Sequence, residues 1–305
     1  MEYISINNIN IPKIGFGPGI CDSASYIPPK NKFLSFSIRA FNRLFRRPFR
    51  ENHYIKSVSS ALQSGFTLLD YSAAYGDGSL IRKGIERSGT IKIESLIITT
   101  RVSNRTQFSG PAQIEKEFKS QLKNLNTDYV DILMFHWPVT DYYEKTWLKM
   151  IELQKQGYCR ILGVANCHAH HLERLESISG ILPSINQVEV TPLFTQKDLL
   201  AFCKEKNIQV EAYTPIARFD DRLMRLPVLR NIAEKYQKTI VQVVLRWHIQ
   251  CGVIPVVRTM NPRHQKENLD IFDFSLTDEE VAKIDAININ ARVRYDPDNC
   301  DFTIL

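Results

Sequence analysis

The chain has no Cys-x-x-Cys pair; its six cysteines (Cys21, Cys159, Cys167, Cys203, Cys251 and Cys300) are scattered. That spacing lacks the usual signals of a structural zinc site or a disulfide framework. No apolar run approaches the roughly 18 to 20 residues needed to cross a bilayer. The opening residues MEYISINNINIPKIG also lack the basic-then-apolar pattern of a secretory leader. A reduced, cytoplasmic protein with no transmembrane segment is expected. Nucleotide-loop signals are missing too. Gly15-Phe16-Gly17-Pro18-Gly19 lacks the G-x-G-x-x-G spacing, no acidic residue sits usefully about 20 positions on, and there is no Walker loop. We read that glycine cluster as a tight turn. Excess charge is modest, 39 Lys and Arg against 33 Asp and Glu, and no nucleic-acid-binding module accompanies it, so nucleic acid is not an expected partner. With 44% hydrophobic and 24% charged residues, the composition is that of a globular protein with a large core.

What is present is an alternation. Strand-like runs rich in Val, Ile and aromatics fall near Ile14 to Gly17, Phe66 to Asp70, Leu96 to Arg101, Tyr129 to Phe135, Ile161 to Ala165, Ser184 to Val188, Gln209 to Tyr213 and Gly252 to Val256. Helix-period runs separate them, among them Pro111 to Leu125 and Gln196 to Lys206. Eight such units favour a closed (β/α)8 barrel over an open doubly wound sheet, and a barrel uses about 250 residues as one domain. We therefore expect one domain over residues 1–305. Tyr3 to Ile6 and Asn10 to Ile11 flank an Asn7-Asn8 turn, the pattern of a hairpin that plugs the barrel's bottom. Residues 21–51 form an insertion after the first barrel strand, and 271–305 extend past the last, with Leu276-Thr277-Asp278-Glu279-Glu280 reading as a capped helix start.

Four polar residues carry the first chemical signal. Asp70 ends one strand and Tyr75 follows in its loop; Arg101 ends the next strand, and His136 follows the one after. In a (β/α)8 barrel the carboxyl ends of the strands share one mouth. A carboxylate, a phenol, a cation and an imidazole thus converge there. A phenol near a carboxylate is by itself common scaffolding; the addition of the cation and the imidazole makes it a candidate site.

With these motifs in order, the chain resembles the aldo-keto reductase family. Asp70 to Tyr75 fits the family's D-x-A-x-x-Y stretch, His136-Trp137-Pro138 its HWP, and Leu162-Gly163-Val164-Ala165-Asn166 its LGVSN. Ile185-Asn186-Gln187-Val188-Glu189 fits NQVE, Ala212-Tyr213-Thr214-Pro215-Ile216 fits AYSPL, and Arg258 to Asn268 fits the K-S-x4-R-x2-E-N run. The resemblance implies NADPH-dependent reduction of an aldehyde or ketone to an alcohol. Tyr75 is then the proton donor, His136 the group that orients the carbonyl oxygen, and Asp70 with Arg101 the electrostatic support. It further implies that Asn166 and Gln187 hold the nicotinamide amide, with Tyr213 stacked under the ring. Thr214, Ile216, Arg258, Thr259, His264, Glu267 and Asn268 complete the cofactor site, Arg258 and Thr259 at positions that grip the 2'-phosphate and so favour NADP(H). Tyr213 also reads as plain core at a strand end.

Three positions depart from the family pattern. Ala165 replaces a serine, His264 replaces an arginine, and Arg101 stands where a lysine is expected. A guanidinium supplies permanent charge but cannot relay a proton as an ammonium can. An NADP(H)-binding barrel that has lost turnover and acts as a sensor or scaffold is the alternative reading. Cys167-His168-Ala169-His170-His171 gathers a thiol and three imidazoles, but with no partner cluster elsewhere it reads as a solvated helix start, and no metal is expected. In the insertion, residues 30–50 carry seven basic side chains and no acidic one, and Leu34, Ile38, Phe41 and Phe45 share a helical face. A lid packed on the barrel, a contact with an anionic substrate or protein partner, and a peripheral membrane helix are the readings left open.

Overall fold

The alternating strands close on themselves. In the computed structural model, which describes residues 1–19, 47–72, 77–89 and 91–303, eight parallel strands form the barrel. They are β3 (Gly15–Phe16), β4 (Leu68–Asp70), β5 (Ile97–Val102), β6 (Val130–Phe135), β7 (Cys159–Ala165), β8 (Ile185–Glu189), β9 (Gln209–Tyr213) and β10 (Val253–Val257). β10 pairs with β3 to complete the circle. Each expected strand is present within a few residues of its expected ends. Most of the insertion (21–46) and Tyr75 lie outside the described residues. The insertion's last residues, 47–51, form the start of the helix Arg47–Ser64.

Period-two alternation along each strand decides what lies inside. Leu68, Ile97, Ile132, Met134, Ile161, Ile185 and Ile254 gather in an apolar cluster within the barrel. Their sequence neighbours of opposite parity, such as Leu69, Ile98, Leu133, Leu162, Val210 and Val253, pack in the larger core beneath the surrounding helices. Continuing the inward parity toward the carboxyl ends brings in Asp70, Arg101, His136, Ala165, Gln187, Glu211, Tyr213 and Arg258. The interior therefore changes from apolar to polar along its axis.

The amino end is closed by the expected hairpin, β1 (Tyr3–Ile6) paired antiparallel with β2 (Ile9–Pro12). Asn7 and Asn8 turn with φ of 50° and 63°, a left-handed conformation that asparagine tolerates better than most residues. Ile6 and Ile11 join the inner apolar cluster, and Asn7 Nδ2 donates to Ser184 Oγ at 3.1 Å. The capped helix expected near Thr277 spans Asp278–Asp285, with the Thr277 side chain accepting from the Glu280 N–H and the Glu280 side chain accepting from the Thr277 N–H. Among the described residues no helix is long and apolar enough to cross a membrane.

Ile11 is fully buried at the base of the barrel. Ile11→Ala should cost about 2 to 5 kcal/mol of stability and leave any chemistry at the opposite end unchanged. Urea denaturation of the variant checks this; a loss well under 1 kcal/mol would mean that the hairpin does not close the core.

Candidate active site

The strand ends deliver their polar groups to one mouth. A cavity of about 800 Å³ opens there, lined by Asp70, Arg101, His136, Asn166, Gln187, Tyr213, Thr214 and Arg258 among others. Its floor is a hydrogen-bonded layer. Arg101 Nη2 donates to Asp70 Oδ1 at 2.6 Å and to Gln187 Oε1 at 2.7 Å, and Gln187 Nε2 donates to Glu211 Oε2 at 2.8 Å. Sheet register aligns the last step, since Gln187 is the direct neighbour of Glu211 across β8 and β9. Arg101 is 2% exposed. The same guanidinium nitrogen serves Asp70 and Gln187, so the ion pair is not the two-pronged fork that arginine and carboxylate often form.

His136 directly follows β6, and its backbone N–H is anchored to Val102 O at 3.0 Å. Burial, then the nearby Arg101 and Arg294 cations, pull its pKa down to about 3. It is a neutral imidazole at physiological pH, able to offer one ring N–H as a hydrogen-bond donor. Asn166 adopts φ of 61°. From there its Nδ2 donates to His136 O at 2.8 Å, and its Oδ1 accepts from Tyr213 Oη at 2.6 Å. The amide thus ties the ends of three strands together.

Thr214 sits at φ 48°, a left-handed value that is unusual for a β-branched residue. Its buried Oγ1 has no hydrogen-bond partner among the described residues, which marks a polar group aimed at a missing acceptor or donor. Gly19, at φ 72°, lies so close to Arg258 that a Cβ there would fall 2.3 Å from its Nε. The exposed Arg258 borders the cavity, and Thr259 leads into the helix Pro262–Leu269, whose amino end favours anions. Gln265 Nε2 donates to Ser57 O and Thr259 O, both at 3.1 Å, which fixes this turn against the helix Arg47–Ser64. The donor set and the orphaned Thr214 hydroxyl fit a phosphorylated dinucleotide with a carboxamide-bearing ring.

Not every expected residue reaches the cavity. His264 is exposed, Asn268 is buried and Glu267 is ion-paired with Arg263 Nε at 2.7 Å, all on the adjoining helix. Ile216 packs against the core. Conversely, Glu211, Arg105, Arg218 and Arg294 belong to the site although sequence reading did not single them out. Glu211 had a signal: a charged residue at an inward position of the strand Gln209–Tyr213. Arg294 had none locally, because it arrives on the C-terminal tail, where Glu189 Oε1 and Oε2 accept the N–H groups of Val293 and Arg294 at 2.7 and 2.8 Å.

The aldo/keto reductase family model matches residues 41–289 of the chain. A glyoxal reductase of Bacillus subtilis is 39% identical over 82% of this chain and 89% of its own length. The methylglyoxal reductase DkgA of Escherichia coli is 35% identical over 80% of this chain and 88% of its own. A crystallised aldo-keto reductase of Bombyx mori in complex with NADP superimposes with a TM-score of 0.80 at 30% identity, covering 97% of this chain and 95% of that one.

Glu211 carries a testable titration. Burial above all, then the Asp70 charge, raise its pKa to about 7 from the ordinary 4.5. Below the lower value both folded and unfolded chains hold the proton. Between the two values the unfolded chain ionises and the folded one resists, so stability is lost as pH rises through that window. Glu211→Gln removes the effect. Relative to the unsubstituted protein it should gain up to about 3 kcal/mol between pH 5 and pH 8, read by urea denaturation at both values. A pH-independent difference would show Glu211 to be ionised throughout.

Proposed function

The chain belongs to the aldo/keto reductase family, and on that footing we propose that it reduces an aldehyde or ketone to an alcohol, with NADP(H) as its cofactor. The observation that carries this reading is the convergence of a neutral His136, the buried Arg101–Asp70 pair, the Asn166 amide and the phosphate-side Arg258 on one cavity. NADPH supplies the hydride that adds to the carbonyl carbon. Tyr75 donates the proton to the oxygen and is left as phenolate.

His136 donates a hydrogen bond to the same oxygen, which holds it in place and offsets charge building there. It does so as a neutral imidazole, so that its role does not change across the working pH range. Arg101 keeps its charge at every accessible pH and favours the phenolate electrostatically: a unit charge at 4 Å contributes about 4 kcal/mol at an effective dielectric of 20. Proton relay through the cation, open to a lysine, is closed to it. Asn166 and Gln187 orient the carboxamide, Tyr213 supports the ring, and Arg258 with Thr259 takes the 2'-phosphate.

Small aldehydes and dicarbonyls of the glyoxal kind are the first substrates to try, given the names of the relatives. An anionic carbonyl compound is the next, given Arg105, Arg218 and Arg294 at the cavity wall. NADPH consumption over a panel of aldehydes and ketones is the test. Turnover no higher than that of a Tyr75→Phe control, with tight NADPH binding intact, favours the non-catalytic sensor or scaffold that Arg101 otherwise suggests.

Arg101→Met should lower kcat by roughly a hundredfold. It should also move the alkaline limb of the kcat profile upward, because removing a cation raises the phenol's pKa. A fall in kcat with an unmoved limb would mean that Arg101 acts only by holding Asp70 and Gln187. Arg258→Ala should weaken NADPH binding about tenfold or more and NADH binding far less, as measured by fluorescence titration. Equal losses would move the 2'-phosphate contact elsewhere.

A further inference from the structure

The His168-Ala169-His170-His171 run has a partner that sequence separation concealed. The helix Ala169–Ser179 begins there, and the C-terminal tail folds back to set one carboxylate among all three imidazoles. Asp298 Oδ2 lies 2.8 Å from His168 Nδ1, and its Oδ1 lies 3.3 Å from His170 Nε2 and 3.5 Å from His171 Nε2. One ligand atom from each of the four residues falls within a span of 4.8 Å.

We propose that His168, His170, His171 and Asp298 form a binding site for a divalent transition metal of the zinc class, and that the ion clamps the C-terminal tail to the barrel. Three imidazoles and one carboxylate are the donor set that borderline cations such as Zn²⁺, Co²⁺ and Ni²⁺ take. Ligand bonds of about 2.0 to 2.1 Å in a tetrahedron place the ligand atoms about 3.3 to 3.4 Å apart. The two distances from Asp298 Oδ1, to His170 and His171, lie close to that value, while His168 meets the other oxygen and the four ligand atoms span up to 4.8 Å, so an ion draws them together. Both Oδ1 distances are long for hydrogen bonds, so Oδ1 is shared loosely between two rings instead of being paired with either.

The surroundings supply the next shell. His168 Nε2 lies 3.2 Å from Arg292 Nη2 and 4.0 Å from Asp296 Oδ1. With Nδ1 on the metal, Nε2 carries the proton, so it turns away from the Arg292 N–H and closes the gap to Asp296, giving the carboxylate–histidine–metal arrangement that orients imidazole ligands. His170 and His171 stack with ring centroids 4.0 Å apart, which holds both rings on the same side of Asp298. His171 Nδ1 accepts from the His168 N–H at 3.1 Å. Its entry as the fourth ligand requires the proton to move to Nδ1 and this contact to open. His168 must likewise move its proton from Nδ1 to Nε2 and release the Arg292 N–H that Nε2 accepts, whereas His170 and Asp298 need no such change.

The position gives the ion a consequence. Asp298 lies four residues beyond Arg294, which lines the catalytic cavity, and four before Phe302, whose backbone oxygen accepts from Asn104 Nδ2 at 3.4 Å and whose ring lies 6.4 Å from that of Trp137. An ion here holds the tail across the barrel mouth.

The test is titration of the full-length, chelator-treated protein with Zn²⁺ by calorimetry and with Co²⁺ by visible absorption. One ion per chain with micromolar or tighter affinity is expected, together with intense Co²⁺ bands of tetrahedral type. His170→Ala and Asp298→Asn should each weaken binding at least about tenfold, and Asp296→Asn should weaken it by a similar factor by taking the charged acceptor from the His168 Nε2–H. Thermal unfolding of the metal-free variants should match that of the metal-free parent, which separates lost ligation from lost folding. Absence of saturable binding, or affinity unchanged in both His170→Ala and Asp298→Asn, overturns the proposal.

Discussion

A permanent cation buried at the carboxyl end of the barrel constrains everything around it. Arg101 is almost wholly enclosed and cannot lose its proton to escape the low dielectric, as a lysine could. The chain therefore surrounds it with acceptors: Asp70 Oδ1 and Gln187 Oε1, with Glu211 receiving the other end of Gln187. Removing one partner of such a pair leaves an uncompensated buried charge, typically at a cost of about 3 to 5 kcal/mol. The layer is the boundary at which an apolar barrel interior becomes a polar cavity.

From that boundary outward, each feature follows from charge and water exclusion. His136 is neutral because it is buried beside arginines, which suits it to donating a hydrogen bond to a carbonyl oxygen. Glu211 is held near neutrality by burial and by Asp70, so the layer's net charge changes within a range of pH that a cell can reach. Arg101, standing where the resemblance leads one to expect a lysine, keeps its charge at every accessible pH, and the member of the same layer that titrates near pH 7 is Glu211.

Much of this was legible beforehand. Alternating strand and helix patterns gave eight strands within a few residues of their observed ends, and the Asn7-Asn8 turn and the Thr277 cap were readable because each depends on neighbours a few residues away. The inward placement of Asp70, Arg101 and Gln187 follows from the same period of two. Resemblance assigns His264, Glu267, Asn268 and Ile216 to the cofactor; the structure places the first three on the helix Pro262–Leu269 beside the mouth and Ile216 against the core, positions that no local pattern distinguishes. Glu211 was overlooked although its parity with Tyr213 marked it as an inward charge.

What lay beyond sequence were contacts that only closure of the chain creates. Nothing near residue 168 announces Asp298, and nothing near residue 136 announces Arg294, because both arrive on the C-terminal tail, which is held where Glu189 accepts the backbone N–H groups of Val293 and Arg294. Local pattern determined the elements, their faces and the polar groups at their ends, since these follow from backbone periodicity and burial. Tertiary structure alone decided which charges meet, how deeply they are buried and hence how they titrate, since Coulomb energy and desolvation depend on distances in space that separation along the chain does not encode.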